Sequence, residues 1–163
     1  MTNNDVLRRV RYIFDFNDDK MIAIFGQADC EVTRAQISDW MKQDDDPAYK
    51  KLSDKLLATY LNGLINDKRG KKEGAQPEPE KALTNNAIFM KLKIALNLKA
   101  EDILEILDLS DFHLSKHELS AFFRKAGHKH YRECKDQILR VFLKGLQMQY
   151  RNETAPEGGS IWK

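Results

Sequence analysis

The tripeptide TNN stands at residues 2–4 and returns at residues 84–86. An offset of 82 residues aligns the two halves of the chain without a gap from Thr2 to Ile65. Identical pairs accumulate along that register: Asn3 with Asn85, Asn4 with Asn86, Ile24 with Ile106, Asp29 with Asp111, Ser38 with Ser120, Tyr49 with Tyr131, Asp54 with Asp136, Leu61 with Leu143 and Gly63 with Gly145. Apolar character survives where identity does not, as in Val10 with Leu92, Trp40 with Phe122 and Tyr60 with Phe142. What the copies share is therefore packing, and the fold class follows: an internal duplication.

Each copy reads as four helices. Val6, Leu7, Val10, Ile13 and Phe14 recur at helical spacing, and Ile88, Phe89, Leu92, Ala95 and Leu96 repeat the stripe. Asn3 or Asn4, and Asn85 or Asn86, are the expected N-caps of these first helices, because a short amide side chain can accept from first-turn N–H groups. Second helices are expected over 18–25 and 100–107. Third helices open at Thr33-Arg-Ala-Gln36 and Ser115-Lys-His-Glu118, both fitting the S/T-x-x-E/Q capping box. Fourth helices start near Ser53 or Asp54 and near Asp136, the first of them ending at Gly70 as C-cap. Gly63 and Gly145 sit inside the fourth helices, where glycine costs about 1 kcal/mol relative to alanine. A cost repeated at equivalent positions calls for a compensation: the close approach of another helix backbone, with a functional groove as the alternative.

These features define a first unit over 1–70, a linker over 71–83 and a second unit over 84–150, with an unstructured tail expected over 151–163. KKEGAQPEPEKA, at 71–82, has glycine, prolines and charges but no apolar period, so it is read as a solvated connection. The expected architecture is all-α, with two four-helix units packed as one compact body in a pseudo-two-fold relation.

The run NNDVLRRVRYIF, the capped helix leading to DWMKQDDDPAY, the segment LNGLINDKRG and the gapless second copy together resemble the YehS-like family, a bacterial domain of unknown function. The resemblance covers residues 2–150. It implies the all-helical duplicated fold and brings no catalytic or binding residue with it.

Composition narrows the function classes. Among 163 residues, 27 Lys and Arg face 25 Asp and Glu, and 42% are hydrophobic, enough for a real core and too balanced for strong steering toward polyanions. Residues 1–82 carry −1 and residues 83–163 carry +3. No apolar run reaches the roughly 20 residues of a membrane span, and MTNNDVLRRV lacks a signal-like apolar stretch, so the expected compartment is the cytoplasm. Cys30 and Cys134 are two distant thiols without CxxC spacing, which argues against a disulfide framework.

Catalytic and metal motifs are weak. GHKHYREC offers His128, His130 and Cys134, with His113 and His117 nearby, but the equivalent DDDPAYKKL of the first unit has no soft ligand, and a solvated loop is the expected state. Asp44, Asp45 and Asp46 lack calcium-loop spacing. No phosphate cradle or nucleophile motif occurs, so neither metal, cofactor nor catalysis is expected. Basic residues recur instead: Arg9 with Lys91 and Arg11 with Lys93 on the first helices, joined by Lys68 and Arg69 of NDKRGKK. The leading expectation is a non-enzymatic module that binds a protein partner or itself. The alternative is a nucleic-acid binder that touches phosphates through those six cations.

Overall fold

A computed structural model describes residues 1–152; of the tail expected over 151–163, Arg151 and Asn152 are described and the rest lies outside the described residues. All regular structure among the described residues is helical: α1 (Asn3–Phe14), α2 (Asp18–Gln27), α3 (Arg34–Met41) and α4 (Asp54–Arg69), then α5 (Asn85–Ala95), α6 (Ala100–Leu109), α7 (Lys116–Ala121) and α8 (Asp136–Tyr150). Both expected capping boxes form at Thr33 with Gln36 and at Ser115 with Glu118. Gly70 ends α4 with φ 93°, a left-handed conformation in which a side chain would be strained.

The asparagines of TNN do something other than capping. Thr2 and Thr84 are the N-caps, their hydroxyls accepting from the amides of Asp5 and Ala87. The boundary therefore falls one residue earlier than expected, and both asparagines lie within the helix. Asn4 is fully buried: its amide donates to the Trp40 and Lys50 carbonyls at 3.1 and 2.8 Å, and its oxygen accepts from the Leu52 amide and the Tyr49 hydroxyl at 2.9 and 3.0 Å. Asn86 repeats this on Phe122, Arg132 and Cys134. A buried side-chain amide is tolerable only when its donors and acceptors are met, and here they meet the backbone of the loop before the fourth helix. Each buried asparagine thus fixes one long loop to one helix start.

Asn3 and Asn85 tie helix to helix. Asn3 donates to the first carboxylate of α4, Asp54, at 2.7 Å, and Asn85 donates to its counterpart in α8, Asp136, at 2.7 Å. The second oxygen of Asp54 accepts from the Leu83 amide just ahead of α5, at 3.0 Å, while that of Asp136 accepts from the Met1 nitrogen ahead of α1, at 2.8 Å. The starts of α1, α4, α5 and α8 are therefore linked in a closed circuit. Their ends meet at the opposite pole, where Phe14 packs edge-on against Tyr150 and Lys68 lies over the Phe14 ring. All four central helices point the same way.

The two units are interlocked. α1 packs on α8 and α5 on α4, a reciprocal exchange, while α2 with α3 flanks α4 and α1, and α6 with α7 flanks α8. One continuous core runs through both, from Leu7, Phe25 and Tyr60 to Phe89, Phe142 and Leu146. The linker is anchored rather than merely solvated: Lys71 pairs with Asp29, Gln76 accepts from Asn66 and Glu80 pairs with Lys91.

The two repeated glycines mark the tightest crossings. A methyl group at Gly63 would lie closer than 3.0 Å to the Ile24 carbonyl oxygen, and one at Gly145 would press equally on that of Ile106. Backbone meets backbone there, so only glycine fits. Gly63→Ala or Gly145→Ala is expected to destabilise by about 1–3 kcal/mol net of the helix propensity gained. Gly26 lies inside α2 with open space around its Cα, and Gly26→Ala should stabilise by up to about 1 kcal/mol. Urea denaturation of the three variants tests this contrast; stabilisation by all three would contradict it.

Candidate functional site

The six basic residues singled out in the sequence do not share one surface. Arg9 is half-buried, with its guanidinium 3.2 Å from the Met1 sulfur. Burial lowers its pKa, and Arg140 and Arg8 add to that effect while Asp5 opposes it. Its counterpart Lys91 is only 14% exposed, 2.6 Å from the Asn62 side chain of α4 and 3.1 Å from Glu80. Arg11 donates to the Phe16 carbonyl and pairs with Asp18 at 2.8 Å, and Lys93 lies over the Phe123 ring. All four hold α1 and α5 against their surroundings rather than forming two open cationic patches.

Lys68 and Arg69 go elsewhere, to the pole where the central helices end. There they line a solvent-open cleft of about 380 Å³ together with Ala95, Leu96, Asn97 and Tyr150. The last turns of α4, α5 and α8 supply these residues, so both units build the cleft. Lys68 sits over the Phe14 and Phe16 rings, at 4.8 and 5.7 Å, and makes no ion pair among the described residues. Arg69 is exposed. Beside the cleft, Arg151 covers the Tyr12 ring at 4.1 Å and lies 3.9 Å from Asp15. Tyr12, Ile94 and Tyr150 are exposed large side chains, the first two at equivalent positions of the repeat.

The chemistry of this pole follows from helix polarity. Aligned helices sum partial negative charge at their C-terminal ends, and the last-turn carbonyls are left without intrahelical donors. Lys68, Arg69 and Arg151 meet that field. The cleft therefore offers cations and aromatic faces beside helix ends, of whose last-turn carbonyls Asn66, Leu92, Lys93, Ile94 and Gln147 already accept from the amides that follow. It has no nucleophile paired with a base, and nothing in its lining is soft enough for a transition metal.

The histidine-rich loop is arranged differently. Cys134 is buried in the core, its thiol pushed up to about 12 by burial first and then by Asp136. His128 and His130 are exposed, 5.6 Å apart by ring centres, with His117 6.3 Å from His130. The cysteine faces inward and the imidazoles outward, and no cluster fit to hold a metal ion occurs among the described residues. His113 bonds to Asp108 at 2.6 Å, which raises its pKa. Asp44, Asp45 and Asp46 are exposed, and Asp46 accepts from the Ala48 amide within its own turn.

Tyr150, Asn97 and Arg151 were not singled out in the sequence. A signal for them exists: the 82-residue register continues past Ile65, matching Lys68 with Tyr150 and Arg69 with Arg151. That register is also where the family lies. The chain matches the family described as a protein of unknown function, DUF1456, over residues 3–70 and again over 85–152, and it belongs to that family. It is 44% identical over 147 residues to the uncharacterised protein YehS of Escherichia coli strain K12, with 90% of this chain and 94% of that protein covered. No solved structure matches.

At the opposite pole two carboxylates are shifted. Hydrogen bonds from Asn3 and the Leu83 amide hold Asp54 below the usual carboxylate value of 3.8, and those from the Met1 nitrogen and Asn85 do the same for Asp136. Because their folded-state pKa lies below the unfolded one, these carboxylates stabilise the fold fully above about pH 4. The contribution is lost as the pH falls through the folded-state value. The melting temperature should therefore fall in acid, and Asp54→Asn with Asp136→Asn should lower the neutral-pH midpoint while flattening the acid limb. An unchanged acid limb in that double variant would contradict this.

Proposed function

We propose that this chain is a non-catalytic interaction module that takes an acidic, extended segment of a protein partner into the cleft at the C-terminal pole. The observation that carries the reading is the joint lining of that cleft by Lys68 and Arg69 and by helix ends from both units. A peptide suits it because it brings carboxylates for the cations and backbone N–H groups compatible with the partial negative charge of the helix ends. A polyphosphate has acceptors only and would meet that charge unfavourably. The exposed Tyr12, Ile94 and Tyr150 add apolar contact area at the same pole.

The volume lies in the range of small-ligand pockets, but the cleft is open and mixed in polarity, which suits a segment laid across it better than an enclosed compound. The cytoplasm is the proposed compartment, in keeping with two free cysteines placed at unrelated positions. No helix among the described residues is long and apolar enough to cross a membrane.

The test is affinity capture from a nuclease-treated native extract, comparing wild type with Lys68→Glu/Arg69→Glu and with Tyr150→Ala. Protein partners retained by the wild type should weaken about tenfold or more in the charge-reversed variant, a loss of about 1.4 kcal/mol. They should weaken less in Tyr150→Ala. Equal retention by all three folded proteins would overturn the cleft as the docking site.

A further inference from the structure

The two units provide an internal comparison at the loop before each fourth helix. Residues 42–53 and 124–135 share the same turn hydrogen bonds, although Gly127 takes a left-handed conformation (φ 91°) that its counterpart Asp45 does not. In the first, the Asp46 amide bonds to the Gln43 carbonyl and the Tyr49 amide to that of Asp46; in the second, His128 bonds to Lys125 and Tyr131 to His128. Asn4 and Asn86 grip the two loops through the same pair of carbonyls. Packing therefore asks the same of both.

Their surfaces are opposite. Gln43, Asp44, Asp45, Asp46, Pro47 and Ala48 stand where the second unit has Lys125, Ala126, Gly127, His128, Lys129 and His130, and all twelve are exposed. Since none of these side chains is buried, the core did not impose the difference. Arg124, Lys125 and Lys129 are exposed and make no ion pair among the described residues, whereas Arg132 lies over the Phe122 ring and reaches Glu118 only at 4.0 Å. The His130 ring lies 5.6 Å from that of His128 in the loop and 6.3 Å from that of His117 in α7. The loop is also fixed, through Asn86, to the pole where four helix N-termini gather, which adds positive potential to its own charges.

We infer that the loop over 124–132 is a docking surface for single-stranded nucleic acid, with Arg124, Lys125 and Lys129 on the phosphates and the exposed imidazoles available to unpaired bases. Clustered cations that lack partners suit a backbone bearing one charge per nucleotide. Flat rings beside them suit bases, which stack on histidine as on other aromatic side chains. An anionic membrane fits less well, because three of the four exposed large apolar side chains, Tyr12, Ile94 and Tyr150, belong to the helix-end region at the other pole, and Leu109 alone makes no apolar face. The inference is independent of the cleft.

The experiment is fluorescence anisotropy of a labelled oligouridylate, and of a duplex of equal length, titrated with the full chain over a range of salt. The wild type should bind the single strand at low salt in preference to the duplex. Arg124→Gln/Lys125→Gln/Lys129→Gln should lose about tenfold or more in affinity and flatten the log-affinity against log-salt slope by about 2, near 0.7 for each lost contact. Asp44→Asn/Asp45→Asn/Asp46→Asn on the other loop should retain binding. Thermal melts confirm that each variant is folded. Absent binding at low salt, or equal binding by the triple-glutamine variant, overturns the inference. So does salt-sensitive self-association that requires both loops while no oligonucleotide is held, since the basic loop would then serve the acidic loop of a second copy.

Discussion

Four helices that point the same way bring four positive N-terminal ends together, and the structure depends on the two aspartates placed among them. Asp54 and Asp136 each accept from two directions, one bond from within the unit and one from the chain that leads into the other unit. The carboxylates offset the like dipoles and also close the circuit α1, α4, α5, α8. At the far pole the same alignment accumulates negative partial charge, and basic side chains gather there in response. The cationic lining of the cleft is thus a consequence of how the bundle is oriented. Binding can use charges that stability already places there.

Parallel alignment also explains why each unit needs α2 and α3. A chain that leaves the end of α1 and must re-enter at the start of α4 has to travel back the length of the bundle, and the two flanking helices with their loop make that journey. The return is held at two points: the α2 backbone lies directly on Gly63, and the loop after α3 is fastened by Asn4. The second unit does the same with Gly145 and Asn86. With α1 lying on α8 and α5 on α4, a unit on its own would expose the stripe that its partner covers.

Much of this was legible in the residues. Helix number, the capped third helices and the close approach at Gly63 and Gly145 all follow from local rules and from the repetition itself. The asparagines of TNN were misassigned because asparagine is as good a cap as threonine, and only the burial of Asn4 reveals that its partners are 36 to 48 residues away. The cleft was half legible. Lys68 and Arg69 stand out in NDKRGKK, but their meeting with Leu96 and Tyr150 is set by the exchange of helices between units, which no local pattern encodes. Arg9 and Lys91 misled for the same reason: a cation on a helix gives no sign of whether the facing helix will cover it. Sequence position alone also leaves the charge contrast between the two loops without weight; it gains weight because both loops are held by the same asparagine bonds.

A cleft lined by helix ends of both units keeps its shape only while the bundle behaves as one rigid body. Native-state hydrogen exchange measures it most directly, because amides that open together report one opening free energy. The most protected amides of α1, α4, α5 and α8 should exchange with a single shared free energy equal to that of global unfolding, and with a common denaturant dependence. If α1 and α4 opened together at clearly lower free energy while α5 and α8 stayed closed, or the reverse, the two units would be separable domains and the interlocked bundle would be wrong.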